Sequence, residues 1–236
     1  MRFLKTTIAA AALLAAASAH SSVIVLDFEG VNATYPSGFA SVGEFYNGGT
    51  SSDGTTGTNY GISFGSNALA LCLNTPGFTC SNTSRGGLGN PNSARGGLFF
   101  LSGSETFMNI DAGFETGFSF FYSAINQGGS ISVYDGLNGT GNLLATLNLG
   151  TTTSACGPEY SAGFCPFVAA GIGFSGVARS VSFGGVANQV VFDDVTFGSV
   201  DPDPNDVPEP GSLALAGLAL AGLAAAGSRR RRRAAR

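Results

Sequence analysis

Ser130-Ile131-Ser132-Val133-Tyr134, Asp135-Gly136-Leu137-Asn138-Gly139-Thr140-Gly141-Asn142 and Leu143-Leu144-Ala145-Thr146-Leu147 follow one another without a break, and this stretch decides the fold. The first segment alternates small polar and β-branched or aromatic side chains with a period of two, the mark of a strand with one buried face. The last is apolar and of similar length. Between them lie eight polar or glycine-rich residues, whose glycines supply the positive φ angles that a reversal needs. The stretch reads as a β-hairpin.

The same texture extends outward along the chain. Short runs rich in Val, Ile, Phe and Tyr recur at residues 23–29, 60–64, 68–73, 97–101, 117–122, 178–183 and 189–197, separated by glycine-rich breaks. A second hairpin is expected to pair residues 179–183 with 189–197 across Gly184-Gly185-Val186-Ala187-Asn188. Nineteen phenylalanines supply bulk, tryptophan is absent, and no window outside the two termini has the period of a long amphipathic helix. Nine or ten regularly spaced strands predict an all-β, jelly-roll-like β-sandwich. Residues 46–60 and 82–97 form longer loops rich in Gly, Ser, Thr and Asn, where ligand contacts are expected.

The two ends of the chain have a different character. Arg2 and Lys5 precede an apolar run over residues 6–17, and Ala17-Ser18-Ala19 fits the small-x-small rule of signal peptidase. Residues 1–19 therefore read as a signal peptide for the general secretion machinery, cleaved before His20. At the other end, Val207-Pro208-Glu209-Pro210 is followed by an uncharged apolar stretch, residues 211–227, and by Arg229-Arg230-Arg231-Arg232-Arg233. As a helix the apolar stretch would span about 26 Å, near the short limit for crossing a membrane. The arginines would stay cytoplasmic, leaving everything before the span outside. Two prolines hold residues 207–210 extended and accessible just beyond the bilayer.

Motif, span and arginines in that order resemble the PEP-CTERM sorting signal of Gram-negative bacteria, also labelled as an ice-binding protein C-terminal domain. The resemblance covers about the last thirty residues, 207–233. It implies a protein first anchored in the inner membrane, then cut by an exosortase at Val207, Pro208, Glu209 and Pro210 and passed to the cell surface or extracellular matrix. Residues 201–206, Asp201-Pro202-Asp203-Pro204-Asn205-Asp206, read as an acidic spacer between this tail and an exported domain at residues 20–200.

Between His20 and Pro210 the chain carries three arginines against fifteen acidic residues, a net charge of −12. This leaves no basic surface for nucleic acid. About 190 residues suffice for one domain with a real core. Four cysteines in an exported chain, Cys72, Cys80, Cys156 and Cys165, read as two disulfides. Three connectivities are open to them, and the local pairs Cys72 with Cys80 and Cys156 with Cys165 are favoured because each closes a short glycine- and proline-containing loop. No Cys-x-x-Cys pair points to zinc.

The only histidine is His20, so the body lacks the imidazole that Ser-His-Asp and Cys-His chemistry use. Paired carboxylates could serve a polysaccharide hydrolase, the alternative reading, which predicts two carboxyl groups facing each other at ~5 to 9.5 Å. A non-enzymatic structural or glycan-binding role is the reading preferred here. Ice binding would need a regular Thr or Ser array, which Thr50, Thr55, Thr56 and Thr58 do not form.

Asp27-Phe28-Glu29 closes the first strand and Asp193-Asp194 lies inside the last. That placement resembles the strand-end calcium site of carbohydrate-binding modules, making Asp27, Glu29, Asp193 and Asp194 candidate Ca2+ ligands. Alternation places Asp27 and Glu29 on one face and sends Asp193 and Asp194 to opposite faces. The competing use of these acids is protection of a sheet edge. The stretches Leu26-Asp27-Phe28-Glu29-Gly30, Phe45-Tyr46-Asn47-Gly48-Gly49 and Gly57-Thr58-Asn59-Tyr60-Gly61-Ile62-Ser63-Phe64 also resemble exported domains found before this sorting tail. A link to extracellular polysaccharide and biofilm matrix is what the resemblance implies.

Overall fold

The computed structural model describes residues 23–33, 38–74, 83–84, 95–152 and 164–202. The expected signal peptide, most of the acidic spacer and the whole sorting tail lie outside the described residues, as do Cys80, Cys156 and most of the loop at 82–97. Val23–Pro204 forms a compact unit of its own. No helix among the described residues is long and apolar enough to cross a membrane.

The unit is all-β, with two sheets. Its strands are β1 (Ile24–Leu26), β2 (Ala40–Ser41), β3 (Ile62–Phe64), β4 (Leu69–Asn74), β5 (Thr83–Ser84), β6 (Gly96–Phe99), β7 (Glu105–Phe114), β8 (Gly117–Ala124), β9 (Gly129–Tyr134), β10 (Leu143–Leu149), β11 (Val168–Gly173), β12 (Ala178–Gly185) and β13 (Val190–Phe197). One sheet runs β11-β8-β13-β6-β4-β2, with β1 added to β13 and β5 to β4. The other runs β10-β9-β12-β7-β3. Every pairing is antiparallel except the short β4–β5 contact.

The hairpin read first is present, with Tyr134 opposite Leu143 and Ile131 opposite Leu147. The expected second hairpin is not. β12 pairs with β7 and β9 in one sheet, whereas β13 pairs with β1, β6 and β8 in the other. The glycine-rich connection is a corner between sheets, and the two strands meet face to face. Their fully buried rings Phe183 and Phe192 pack at 4.9 Å and 66°, within a core that also holds Phe118, Phe120 and Phe197. Edge-to-face packing of this kind adds about 0.5–1.5 kcal/mol per pair beyond area burial.

Four strands escaped the sequence reading, the two-residue β2 and β5 and the longer β7 and β11. β7 buries Thr106, Met108 and Ile110 and leaves Phe107 on the other face, so a polar residue inside and an aromatic one outside blur its period. β11 is made largely of alanine and glycine. The eight-stranded sheet is apolar on both faces: Leu71, Leu73, Phe99, Phe121, Phe164, Phe167 and Val191 form a second cluster separate from the main core. Double-sided burial explains why β8 is buried along its whole length.

Cys72 and Cys165 each take part in a disulfide, and no described cysteine is free. The local pairing involves Cys80 and Cys156, outside the described residues.

Candidate functional site

The first and last strands are neighbours: Ile24 faces Phe197 and Leu26 faces Val195. β13 changes partner along its length, meeting β6 at Phe192 opposite Leu98 and β1 from Val195 onward. A register shift against β8 between Asp193 and Thr196 falls where the partner changes. Asp194 sits there at φ 45°, a left-handed conformation that short polar side chains tolerate.

The bulge interrupts the regular ladder at Asp193 and Asp194, and both are buried, at 0 % and 3 % exposure, in a strand buried along its whole length. Asp193 Oδ1 accepts a hydrogen bond from the Asp194 amide at 2.7 Å, and the Thr196 hydroxyl donates to the Asp194 carbonyl at 2.9 Å.

Beyond Leu26 the chain leaves the ladder and turns. Phe28 adopts φ 55° and buries its ring against Tyr46 and Phe64, at 6.0 and 5.9 Å. Asp27 and Glu29 consequently line one pocket of about 450 Å³, together with Tyr46, Tyr60 and the Thr56-Gly57-Thr58 segment. Their common side was expected from strand alternation. It arises instead from a tight turn at a left-handed residue.

The pocket is tied together by hydrogen bonds. The Tyr46 hydroxyl accepts from the Phe28 amide at 2.9 Å and lies 3.5 Å from Asp27 Oδ1, to which it donates. The Glu29 amide donates to the same oxygen at 3.2 Å. Glu29 Oε1 accepts from the Gly96 amide at 2.6 Å and from the Arg95 amide, fastening the turn to the start of β6.

Burial pushes the Asp27 carboxyl above its ordinary value of 3.8, and the neighbouring charge of Glu29 acts in the same direction. Burial also pushes the Tyr46 hydroxyl upward, with the charges of Asp27 and Asp193 adding to the effect. Tyr46 therefore stays protonated and remains a donor to Asp27.

The far wall comes from the loop at 46–60, which was expected to make ligand contacts. Phe45–Asn47 form one 3-10 turn, and the Tyr60 amide donates to the Tyr46 carbonyl at 2.8 Å. The Tyr60 ring then lies nearly parallel to that of Tyr46, at 6.3 Å and 27°, and keeps 39 % of its surface exposed. Gly57 packs against Phe45 so closely that a Cβ would stand 2.3 Å from the ring. The sequence marked this loop through its glycines and hydroxyls, but it held no sign of the tyrosine stack.

Asp27 and Glu29 thus share the pocket, whereas Asp193 and Asp194 are buried in the adjoining bulge. Among the described residues, no group of three or more His, Cys, Asp or Glu side chains is placed to hold a metal ion.

The sandwich and the tail together define an exported, sorted β-protein. The chain carries a PEP-CTERM protein-sorting motif, matched by the family model of that description at residues 206–232. No curated protein matches the chain at a significant level.

Among solved structures, a family 6 carbohydrate-binding module is similar over 54 % of this chain and 91 % of its own, at 24 % identity and a TM-score of 0.31. The CBM22-1-GH10 modules of Clostridium thermocellum endo-1,4-β-D-xylanase 10B, solved with xylohexaose, are similar at 14 % identity and a TM-score of 0.33. The match covers 59 % of this chain and 26 % of theirs. The K3 adhesin domain of Lys-gingipain from Porphyromonas gingivalis is similar at 13 % identity and a TM-score of 0.34, over 57 % of this chain and 93 % of its own.

Proposed function

We propose that this protein is an exosortase substrate whose β-sandwich acts at the cell surface or in the extracellular matrix as a non-catalytic glycan-binding module. In this reading the signal peptide directs export, the span at residues 211–227 holds the chain in the inner membrane, and cleavage near Val207, Pro208, Glu209 and Pro210 releases the sandwich for sorting. The alternation of β6 to β9 between the two sheets supports a jelly-roll-like topology for the module.

The observation that carries the binding role is the half-exposed Tyr60 ring, stacked on Tyr46 beside the Asp27 carboxylate. A flat aromatic surface accepts the apolar face of a pyranose, and convergent carboxylate and hydroxyl groups fix its hydroxyls. Glu29 has one oxygen occupied by two backbone amides, an anchoring role that suits binding better than acid-base chemistry.

Two measurements test the proposal. Intact mass from an exosortase-positive host should show loss of the span and arginines, and the change should be blocked by Glu209→Ala and absent from a host lacking the enzyme. An unchanged C-terminus in the positive host would overturn sorting by exosortase. Calorimetric titration of the full chain with cellohexaose, xylohexaose and glucosamine oligomers should detect binding that Tyr60→Ala abolishes, with no release of reducing ends. Release of reducing ends by the wild type would favour a hydrolase. Calcium at Asp27, Glu29, Asp193 and Asp194 is the competing occupant of these carboxylates, and repeating the titration with added calcium and with a chelator tests it.

A further inference from the structure

We infer that the pocket formed by Asp27, Glu29, Tyr46 and Tyr60 selects glycans bearing free amino groups. The inference rests on the glycan-binding reading and names the class of sugar.

Among the described residues, the pocket is lined by two carboxylates and by no basic side chain. Arg95 meets Glu29 through its backbone amide and supplies no side chain to the lining. A uronic acid or sulfated sugar would therefore enter against like charge, in a domain that carries eleven acidic residues against three arginines over residues 20–200. A neutral sugar could donate its hydroxyls to a carboxylate, but would bring no positive charge to the two acids.

An ammonium group answers both features. The two donors that meet Asp27, the Glu29 amide and the Tyr46 hydroxyl, converge on Oδ1 and leave Oδ2 for a ligand. A charge-assisted N–H to carboxylate bond is roughly twice as strong as a neutral one. The open face of Tyr60 provides a second attraction, since a cation within about 6 Å of a tyrosine ring is stabilised by the ring quadrupole. An exposed tyrosine and a carboxylate lining one pocket suit a sugar amine, in which the pyranose covers the ring while its ammonium reaches the acid.

The full chain, purified in a neutral detergent, should be titrated with a β-1,4 glucosamine hexamer, its fully N-acetylated counterpart, cellohexaose and spermidine. Physiological ionic strength screens exposed charges beyond about 8 Å and suppresses non-specific attraction of a polycation to the acidic domain. The glucosamine hexamer should bind at least about tenfold more tightly than each of the other three ligands, a gap of about 1.4 kcal/mol. Asp27→Asn should erase that preference, whereas Asp135→Asn, on the β9–β10 connection outside the pocket, should preserve it although it removes the same charge. Tyr60→Phe should retain binding and Tyr60→Ala should lose it, each variant being checked by its unfolding midpoint.

Equal affinity for the acetylated and free-amine hexamers would overturn the amino-sugar inference and leave the glycan-binding reading standing. Spermidine binding as tightly as the hexamer would overturn it in favour of a simple polyamine site. Binding of no oligosaccharide would bring down the glycan-binding reading and this inference with it. An equal loss in Asp27→Asn and Asp135→Asn would show a bulk charge effect and also overturn it.

Discussion

The Glu29 carboxylate and the Gly96 amide are joined at 2.6 Å across 67 residues of sequence, so the turn that opens the pocket is built onto the first residue of β6. The approach leaves no space for a side chain at Gly96. A Cβ there would stand 2.4 Å from the Phe28 carbonyl oxygen and 2.9 Å from that of Asp27. Both obstacles are backbone atoms and cannot rotate away. Gly96→Ala should therefore destabilise the sandwich by about 1–3 kcal/mol, as overpacking commonly does. Urea unfolding should show a lower midpoint at an unchanged slope.

Tyr46 holds the same turn from the other side. Its hydroxyl is the acceptor for the Phe28 amide, and the ring is buried. Tyr46→Phe keeps the ring and removes that acceptor, and a buried donor deprived of its partner costs about 1–3 kcal/mol. Chemical denaturation should register this loss, and amide hydrogen exchange at Phe28 should accelerate relative to wild type.

The strands legible from sequence were those rich in β-branched and aromatic residues, whether partly buried, as β9, or buried along their whole length, as β8 and β13. Residues 130–147 alternate and reverse through glycines, and the β9–β10 hairpin follows them closely. The corner between β12 and β13 contains the same kinds of residue, so composition alone could not tell a hairpin from a crossing between sheets. The strand pairings and the Phe183–Phe192 contact across the core distinguish them. At the site, Asp27 and Glu29 were visible as acids at a strand end. Their convergence depends on the positive φ of Phe28, a bulky residue that gives no advance sign of a left-handed turn. The Tyr46–Tyr60 stack was hidden because it joins the two ends of a loop whose path the sequence does not reveal.

The aromatic core gives a direct test of the sheet assignment. Phe183 and Phe192 are fully buried and belong to facing sheets. Phe192→Ala and Phe183→Ala should each cost about 3–5 kcal/mol. Their double-mutant cycle should return a coupling of about 0.5–1.5 kcal/mol. A coupling of zero would contradict the ring contact.

The hairpin connection has its own acid dependence. Asp135 accepts hydrogen bonds from the Asn142 side chain at 2.8 Å and the Asn142 amide at 2.6 Å, and these hold its carboxyl below the ordinary value of 3.8. A carboxyl whose folded pKa is depressed adds stability above its unfolded value and gives it up as pH falls through the folded one. Asp135→Ala should therefore unfold more readily than wild type near neutral pH. The difference should shrink below pH 3.8, as read from thermal midpoints across an acid series.

Asp27 should behave in the opposite sense. Burial raises its pKa in the folded state, so ionisation is harder there than in the unfolded chain. The stability associated with its protonated form is complete below the ordinary value of 3.8 and is lost as pH rises through the higher folded value. At neutral pH the wild type thus carries a buried charge at a cost. Asp27→Asn keeps an oxygen for the Glu29 amide and the Tyr46 hydroxyl, and removes that charge. The variant should be more stable than wild type at pH 7 and equal to it in acid, with unfolding midpoints at the two pH values providing the check. A stabilising substitution that also erases the preference for the amino sugar would mark Asp27 as a residue held for function at the expense of the fold. Equal midpoints at pH 7 would mean that solvent entering through the pocket mouth already compensates the charge.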